Sequence, residues 1–256
     1  MPTTTTEIAT ELDGHILDIS FNRPTKKNAL SSSMYTTLAD VLHEADENNE
    51  VRVVLLHGQG DSFTAGNDLE DFMKNPPPAS GSPQESLMKA FVDFDKPVVA
   101  AVHGAAIGAG VTILPHCDFV YAASSAKFQM PFVNLAVVPE FGSSFTIPAQ
   151  LGYLAAADLI LLGQPFDAQR AAELGLVTRV VPDALLLVEA RNTAEKLSEK
   201  PPAALRACKR LMKRALREQF TVAAAAENDE FSFRVRSPEA KEAIAAFFEK
   251  RRPNFN

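Results

Sequence analysis

The sequence predicts an α/β fold over residues 1–195 and a helical region over 196–256. Three observations carry this. Apolar runs of strand length stand at residues 51–57, 98–102, 118–121 and 176–181, and polar turns and helix-spaced segments lie between them. These units recur loosely as strand, strand, helix, which suits the stacked turns of a spiral. From about residue 183 the spacing is helical to the end, broken at Pro201-Pro202 and Ser237-Pro238.

In chain order, residues 8–12 and 15–21 flank Asp13-Gly14, a two-residue hairpin signal. The polar loop NRPTKKNAL follows, and serines 31–33 can cap a helix whose buried face carries Met34, Leu38, Val41, Leu42 and Ala45. After the strand at 51–57, GQGDSFTAGNDL turns into a short helix. Residues 74–83, KNPPPASGSP, have the composition of a mobile surface loop, and 84–94 are helical. The strand at 98–102 runs into a glycine-rich turn, an apolar helix and the strand at 118–121. LGYLAAADLILLG is helical, and DAQRAAELG is a short helix closed by Gly175.

Hydrophobic residues at 46% and charged residues at 22% are ordinary for a globular chain, and 256 residues can bury a sizeable core. A net charge of -7 argues against nucleic acid as a partner. Cys117 and Cys208 make neither a metal spacing nor a disulfide framework, so the expectation is no metal and a reducing, cytoplasmic compartment. The start lacks the basic and apolar regions of a signal peptide, no apolar run is long enough for a membrane span, and the closing Asn-Phe-Asn is not a peroxisomal address.

Residues 103–142 concentrate the chemistry. Gly104, Gly108 and Gly110 let backbone approach a ligand with no Cβ in the way. The free N–H groups opening the next helix can hold negative charge developing on an oxygen. Glu140 is a lone acid among Val137, Val138, Pro139 and Phe141; burial would raise its pKa, which suits a base near neutral pH. Together these suggest proton chemistry beside a carbonyl. The blander readings are a surface acid and a purely structural turn. The glycine order is not that of a dinucleotide loop. His103 and His116 read as structural, and Cys117 as packed.

Seven segments, NRPTKKNAL, SFTAGNDL, KPVVAAVHGAAIGAG, CDFVYA, VPEFGSSFTIPAQLG, AAELGLVTRVV and FFEKRRPNF, together resemble the crotonase (enoyl-CoA hydratase/isomerase) superfamily. The resemblance implies a spiral of ββα turns with a C-terminal helical trimerisation region, as a homotrimer or a dimer of trimers. It implies an acyl-CoA thioester substrate, with coenzyme A part of that substrate and no separate cofactor. The backbone N–H groups of Asn67 and Ala109 would hold the thioester oxygen. The two glutamates with which the family's hydratases activate water fall here on Thr112 and Phe132, neither of which is a base. Glu140 stands where peroxisomal-type Δ3,Δ2-enoyl-CoA isomerases carry theirs. The resemblance therefore favours an isomerase over a hydratase, a thioester hydrolase or a non-catalytic acyl-CoA-binding trimer.

By the same resemblance, Ala65, Gly66, Asn67, Asp68 and Leu69 line the acyl-pantetheine and adenine region, with Asp68 also a helix cap. Ala29, Gly108, Gly110 and Phe132 join the binding set. Lys26 and Lys27 are either solvated or partners of the coenzyme A phosphates. Lys250, Arg251 and Arg252 would reach a neighbouring subunit's site. The basic stripe Arg206, Lys209, Arg210, Lys213, Arg214 and Arg217 reads as a solvated face. Phe231, Phe233, Ile244, Phe247 and Phe248 exceed what the short tail can cover, so they are expected to mark the trimer contact.

Overall fold

Strands β1 (Ile8–Asp13) and β2 (Ile16–Phe21) form the opening hairpin in the computed structural model, which describes residues 6–255. The readings that rest on residues 1–5 and Asn256 lie outside the described residues. The hairpin loop is Gly14-His15 rather than Asp13-Gly14: Asp13 pairs with Ile16, and Gly14 takes φ 59°, which a first loop residue of this kind needs.

Four further strands extend this hairpin in parallel: β3 (Val53–Gly58), β4 (Val98–Val102), β6 (Phe119–Ala123) and β9 (Arg179–Val181). The sheet order is β1-β2-β3-β4-β6-β9. Every residue of β3 and β4 is buried, as an unbroken apolar run in a parallel sheet requires. Helix α8 (Leu186–Ser198) packs on β3, β4 and β6 through the fully buried Ala190 and Ala194, and it runs through position 195. Helix α1 (Ser32–Glu47), capped by Ser31 as expected, packs against α3 (Pro83–Asp93).

A second sheet corrects the reading of the glycine-rich stretch. Residues 105–107 are a strand, β5 (Ala105–Ile107), between Gly104 and the four-residue helix α4 (Ala109–Thr112). β5 pairs with β7 (Lys127–Gln129), which pairs with β8 (Phe166–Asp167). Three-residue strands are too short to show periodicity, so they do not stand out in sequence. Helix α5 (Ser143–Leu151), with Pro148 inside it, also went unread. It precedes α6 (Tyr153–Leu161), and α7 (Ala168–Glu173) leads to β9, three residues long rather than six.

The loop at 74–83 is pinned. Helix α2 (Leu69–Lys74) enters it, Pro77 is buried, and Arg236 donates to the carbonyls of Pro76 at 2.9 Å and Pro77 at 3.0 Å. The tail is helical as expected: α9 (Pro202–Arg214), α10 (Arg217–Arg234) and α11 (Pro238–Phe248). The basic stripe of α9 is not a solvated face, however. Lys209 is buried and donates to Lys96 O at 2.6 Å and Asp118 Oδ2 at 2.7 Å. Arg206 meets Asp46 and Arg210 meets Asp95, so carboxylates on the α/β region draw this face inward. Leu211 and Met212 are left outside, 67% and 71% exposed. Among the described residues, no helix is long and apolar enough to cross a membrane.

Candidate active site

Two loops meet to build the donor pair. Leu30 donates its N–H to Gly66 O at 2.8 Å and accepts from the Asp68 N–H at 2.9 Å, a parallel bridge that turns Asn67's own N–H to the opposite edge. Thr64 and Ala106 make a second bridge, which lays this loop along β5. The approach is close. A Cβ on Gly66, at φ 82°, would stand 2.5 Å from Ile107 O and 3.6 Å from Ala109 N. Ala109 opens α4, and its N–H, like that of Asn67, has no hydrogen-bond partner among the described residues. Two free backbone donors thus lie on neighbouring turns, as oxyanion binding demands.

The NRPTKKNAL loop is held from inside. Asn28, fully buried, donates through Nδ2 to Gln59 O at 2.8 Å and Ser62 O at 2.7 Å. Arg23 donates to Ala29 O and to Asp68 Oδ2. Asp68 also caps α2 by accepting from the Glu70 and Asp71 N–H groups, which matches the cap reading.

Glu140 is 7% exposed, and the Asn67 side chain donates to both its oxygens, at 3.0 and 3.1 Å. Asn67 Oδ1 in turn accepts from the Tyr35 hydroxyl at 2.5 Å, which fixes which way the amide faces. Burial raises Glu140 to about 7; the Asn67 hydrogen bond opposes the rise and the charge of Glu227 adds to it. Tyr35 was missed. Its signal lay on the buried face of α1, in register with Leu38 and Leu42, where a tyrosine hydroxyl needs a partner.

The backbone carrying Glu140 is strained and clamped. Phe141 takes φ 63°, rare for a bulky residue, and its carbonyl accepts from His116 Nε2 at 3.1 Å. Burial pushes His116 down to about 3, so the ring stays neutral and its proton sits on Nε2. His116 thus serves this loop as a neutral donor. Gly142 follows at φ 69°, where a Cβ would come within 2.0 Å of the Phe220 ring. Glu227 of α10 accepts from the N–H groups of Gly142 at 2.6 Å and Ser144 at 2.5 Å, closing the free end of α5. Nothing near Glu227 in sequence points to this role.

A cleft of about 700 Å³ lies before Asn67 and Gly108, whereas Ala109 is fully buried and does not line it. Lys26, Ala29, Ala65, Gly66, Asn67, Asp68, Leu69, Gly108 and Phe132 line it, so most of the expected binding residues come together. Lys27 and Gly110 do not line it. Lys27 is exposed, and Gly110 is buried where a Cβ would meet Thr64 Cγ2 at 2.8 Å, so its smallness serves packing. Glu140 does not line the large cleft either. It faces a small chamber behind the edge-to-face pair Phe72–Phe231, and Asn67 connects the two spaces. Arg251, expected to reach a neighbour, borders this chain's own cleft with Phe247 and Phe255. At the hydratase positions, Thr112 is buried with its hydroxyl on Ala109 O, and Phe132 is apolar wall.

Two free amides can hold an enolate oxygen, and a buried carboxylate can move a proton. Human enoyl-CoA delta isomerase 2 is 34% identical over 256 residues, covering 96% of this chain and 64% of that protein. The chain thus spans less than two thirds of that isomerase's length. Enoyl-CoA hydratase EchA19 of Mycobacterium tuberculosis is 35% identical over 258 residues, covering 96% of this chain and 94% of that one. The crystal structure of an enoyl-CoA hydratase/isomerase from Pseudoalteromonas atlantica T6c has a TM-score of 0.93 at 39% identity, covering 98% and 100% of the two chains. The family described as enoyl-CoA hydratase/isomerase, the crotonase superfamily, matches residues 11–256, and this chain belongs to it.

Proposed function

We propose that this chain is a Δ3,Δ2-enoyl-CoA isomerase working with one base. The observation that carries the reading is one buried carboxyl on the Asn67 amide: Glu140, raised to about 7, with Thr112 and Phe132 where a hydratase's two glutamates would stand. The thioester oxygen of a 3-enoyl-CoA accepts from the Asn67 and Ala109 N–H groups. Glu140 takes a proton from C2, and the C–H electron pair passes into a dienolate spread from the thioester oxygen to C4. The protonated acid then returns the proton to C4, which leaves the double bond between C2 and C3. Atoms and charge balance without water. The amide of Asn67, held by Tyr35, keeps the carboxylate in place through both transfers.

Hydratase names among the relatives support a second reading, addition of water to a 2-enoyl-CoA. Two incubations separate them. With 3-hexenoyl-CoA, rising conjugated-thioester absorbance supports the isomerase; with 2-hexenoyl-CoA, falling absorbance supports the hydratase. Absence of both, with acyl-CoA still bound, leaves the non-catalytic or hydrolase reading and removes ours.

The assembly belongs to the same proposal: a homotrimer or a dimer of trimers in a reducing, cytoplasmic compartment. Phe233, Phe247 and Phe248 are exposed as expected of contact residues. Phe231 and Ile244 are not, since Phe231 packs on Phe72 and Ile244 lines the cleft. The outward Leu211 and Met212 of α9 add to the apolar surface.

A further inference from the structure

Behind the Glu140 loop lies a second, half-open cavity of about 330 Å³ that the proposed reaction does not use. Phe145, Leu216, Phe220 and His116 form its walls, so it is mostly hydrocarbon. Two polar atoms are nevertheless buried there with no hydrogen-bond partner among the described residues: Lys213 Nζ and Thr146 Oγ1. Gln84 Oε1 is the third such atom, so two of the three share one cavity.

The charge around this space has one sign. Its lining includes Lys213 and Arg217 and no carboxylate. Asp118, whose charge favours the Lys213 ammonium, is already engaged by Lys209 at 2.7 Å and by the Val98 N–H at 2.8 Å. Arg217 turns to Val92 O at 3.0 Å and Asp93 at 3.7 Å. Burial and the nearby Lys209 push Lys213 down to about 8, as expected of an ammonium without a counter-charge.

We propose that this cavity binds an amphiphilic monocarboxylate, its carboxylate on Lys213 Nζ and Thr146 Oγ1 and its hydrocarbon body against Phe145, Leu216 and Phe220. An ammonium removed from water needs a counter-ion with hydrogen-bonding oxygens, and the hydroxyl offers a second donor beside it. The apolar walls then select a chain over inorganic phosphate, and the volume is that of a small-molecule site. The ligand would touch Phe220 and His116, which pack against Gly142 and hold the Phe141 carbonyl. The site does not depend on the isomerase reading.

The test is protection of one amine. The full chain is treated at about pH 8 with an N-hydroxysuccinimide acetyl ester, with and without hexanoate, and acetylation of each lysine is mapped by peptide mass spectrometry. Hexanoate should slow acetylation of Lys213 about ten-fold or more and leave the exposed Lys27, which lines neither cavity, unchanged, while hexanol should not protect. Thr146→Val, nearly isosteric, should raise the half-protecting hexanoate concentration about ten-fold. Equal effects on all lysines, protection by hexanol, or no effect of Thr146→Val would overturn the proposal. A Lys213 that reacts only on dilution to monomer would also overturn it, since a second copy would then supply the occupant.

Discussion

The Glu140 carboxyl is set by what surrounds it. Apolar burial raises its pKa, Asn67 orients it, and His116 holds the peptide behind it. Glu140→Gln keeps the amide-compatible shape and removes the base, so turnover of a 3-enoyl-CoA should fall about a hundred- to ten-thousand-fold with acyl-CoA affinity retained. A variant keeping more than about a tenth of the rate would mean another group moves the proton. The same carboxyl predicts a pH profile. It must be ionised to act, so kcat/KM should rise with pH through about 7. Stability runs the other way. Between its ordinary 4.5 and about 7 the folded carboxyl holds a proton that the unfolded one releases, so this group's contribution declines as pH rises through that window. Thermal melts above pH 7 should therefore show Glu140→Gln more stable than wild type.

Helix α9 shows how an element can dock by its charged side. Lys209 is almost fully buried and shared between Asp118 and the Lys96 carbonyl, whereas Arg210 is half exposed beside Asp95. Lys209→Met should destabilise the fold by about 3 kcal/mol, because it leaves a carboxylate in the seam without its cation. Arg210→Ala should cost no more than about 1 kcal/mol, since water screens that pair. Urea titrations of the two variants check the contrast, and equal losses would contradict an electrostatic seam.

At the scale of the molecule, docking α9 by its basic side leaves Leu211 and Met212 facing outward, alongside the exposed Phe233 and Phe247. Apolar patches of this kind mark contacts. Sedimentation at micromolar concentration should therefore find three or six copies, and Met212→Glu should shift the distribution toward monomer. A wild-type chain that sediments as a monomer would remove the assembly from the proposal.

Much of this was legible in the chain alone, because it depends on local pattern. Buried parallel strands are continuous apolar runs, so β3, β4 and β6 stood out, and Ser31 and Asp68 cap helices through bonds two or three residues away. Glu140 stood out because its immediate neighbours are apolar, and the turn of Ala109 because glycines mark close backbone approach, whereas the role of the Asn67 loop came from the family resemblance. The tertiary structure decided what depends on distant partners. Tyr35 reaches Asn67 across 32 residues, and Glu227 closes the Glu140 loop from 85 residues beyond Gly142. The same dependence turned α9 around: a helix pattern reveals two unlike faces, but only the positions of Asp46, Asp95 and Asp118 on other elements determine which face is held inside.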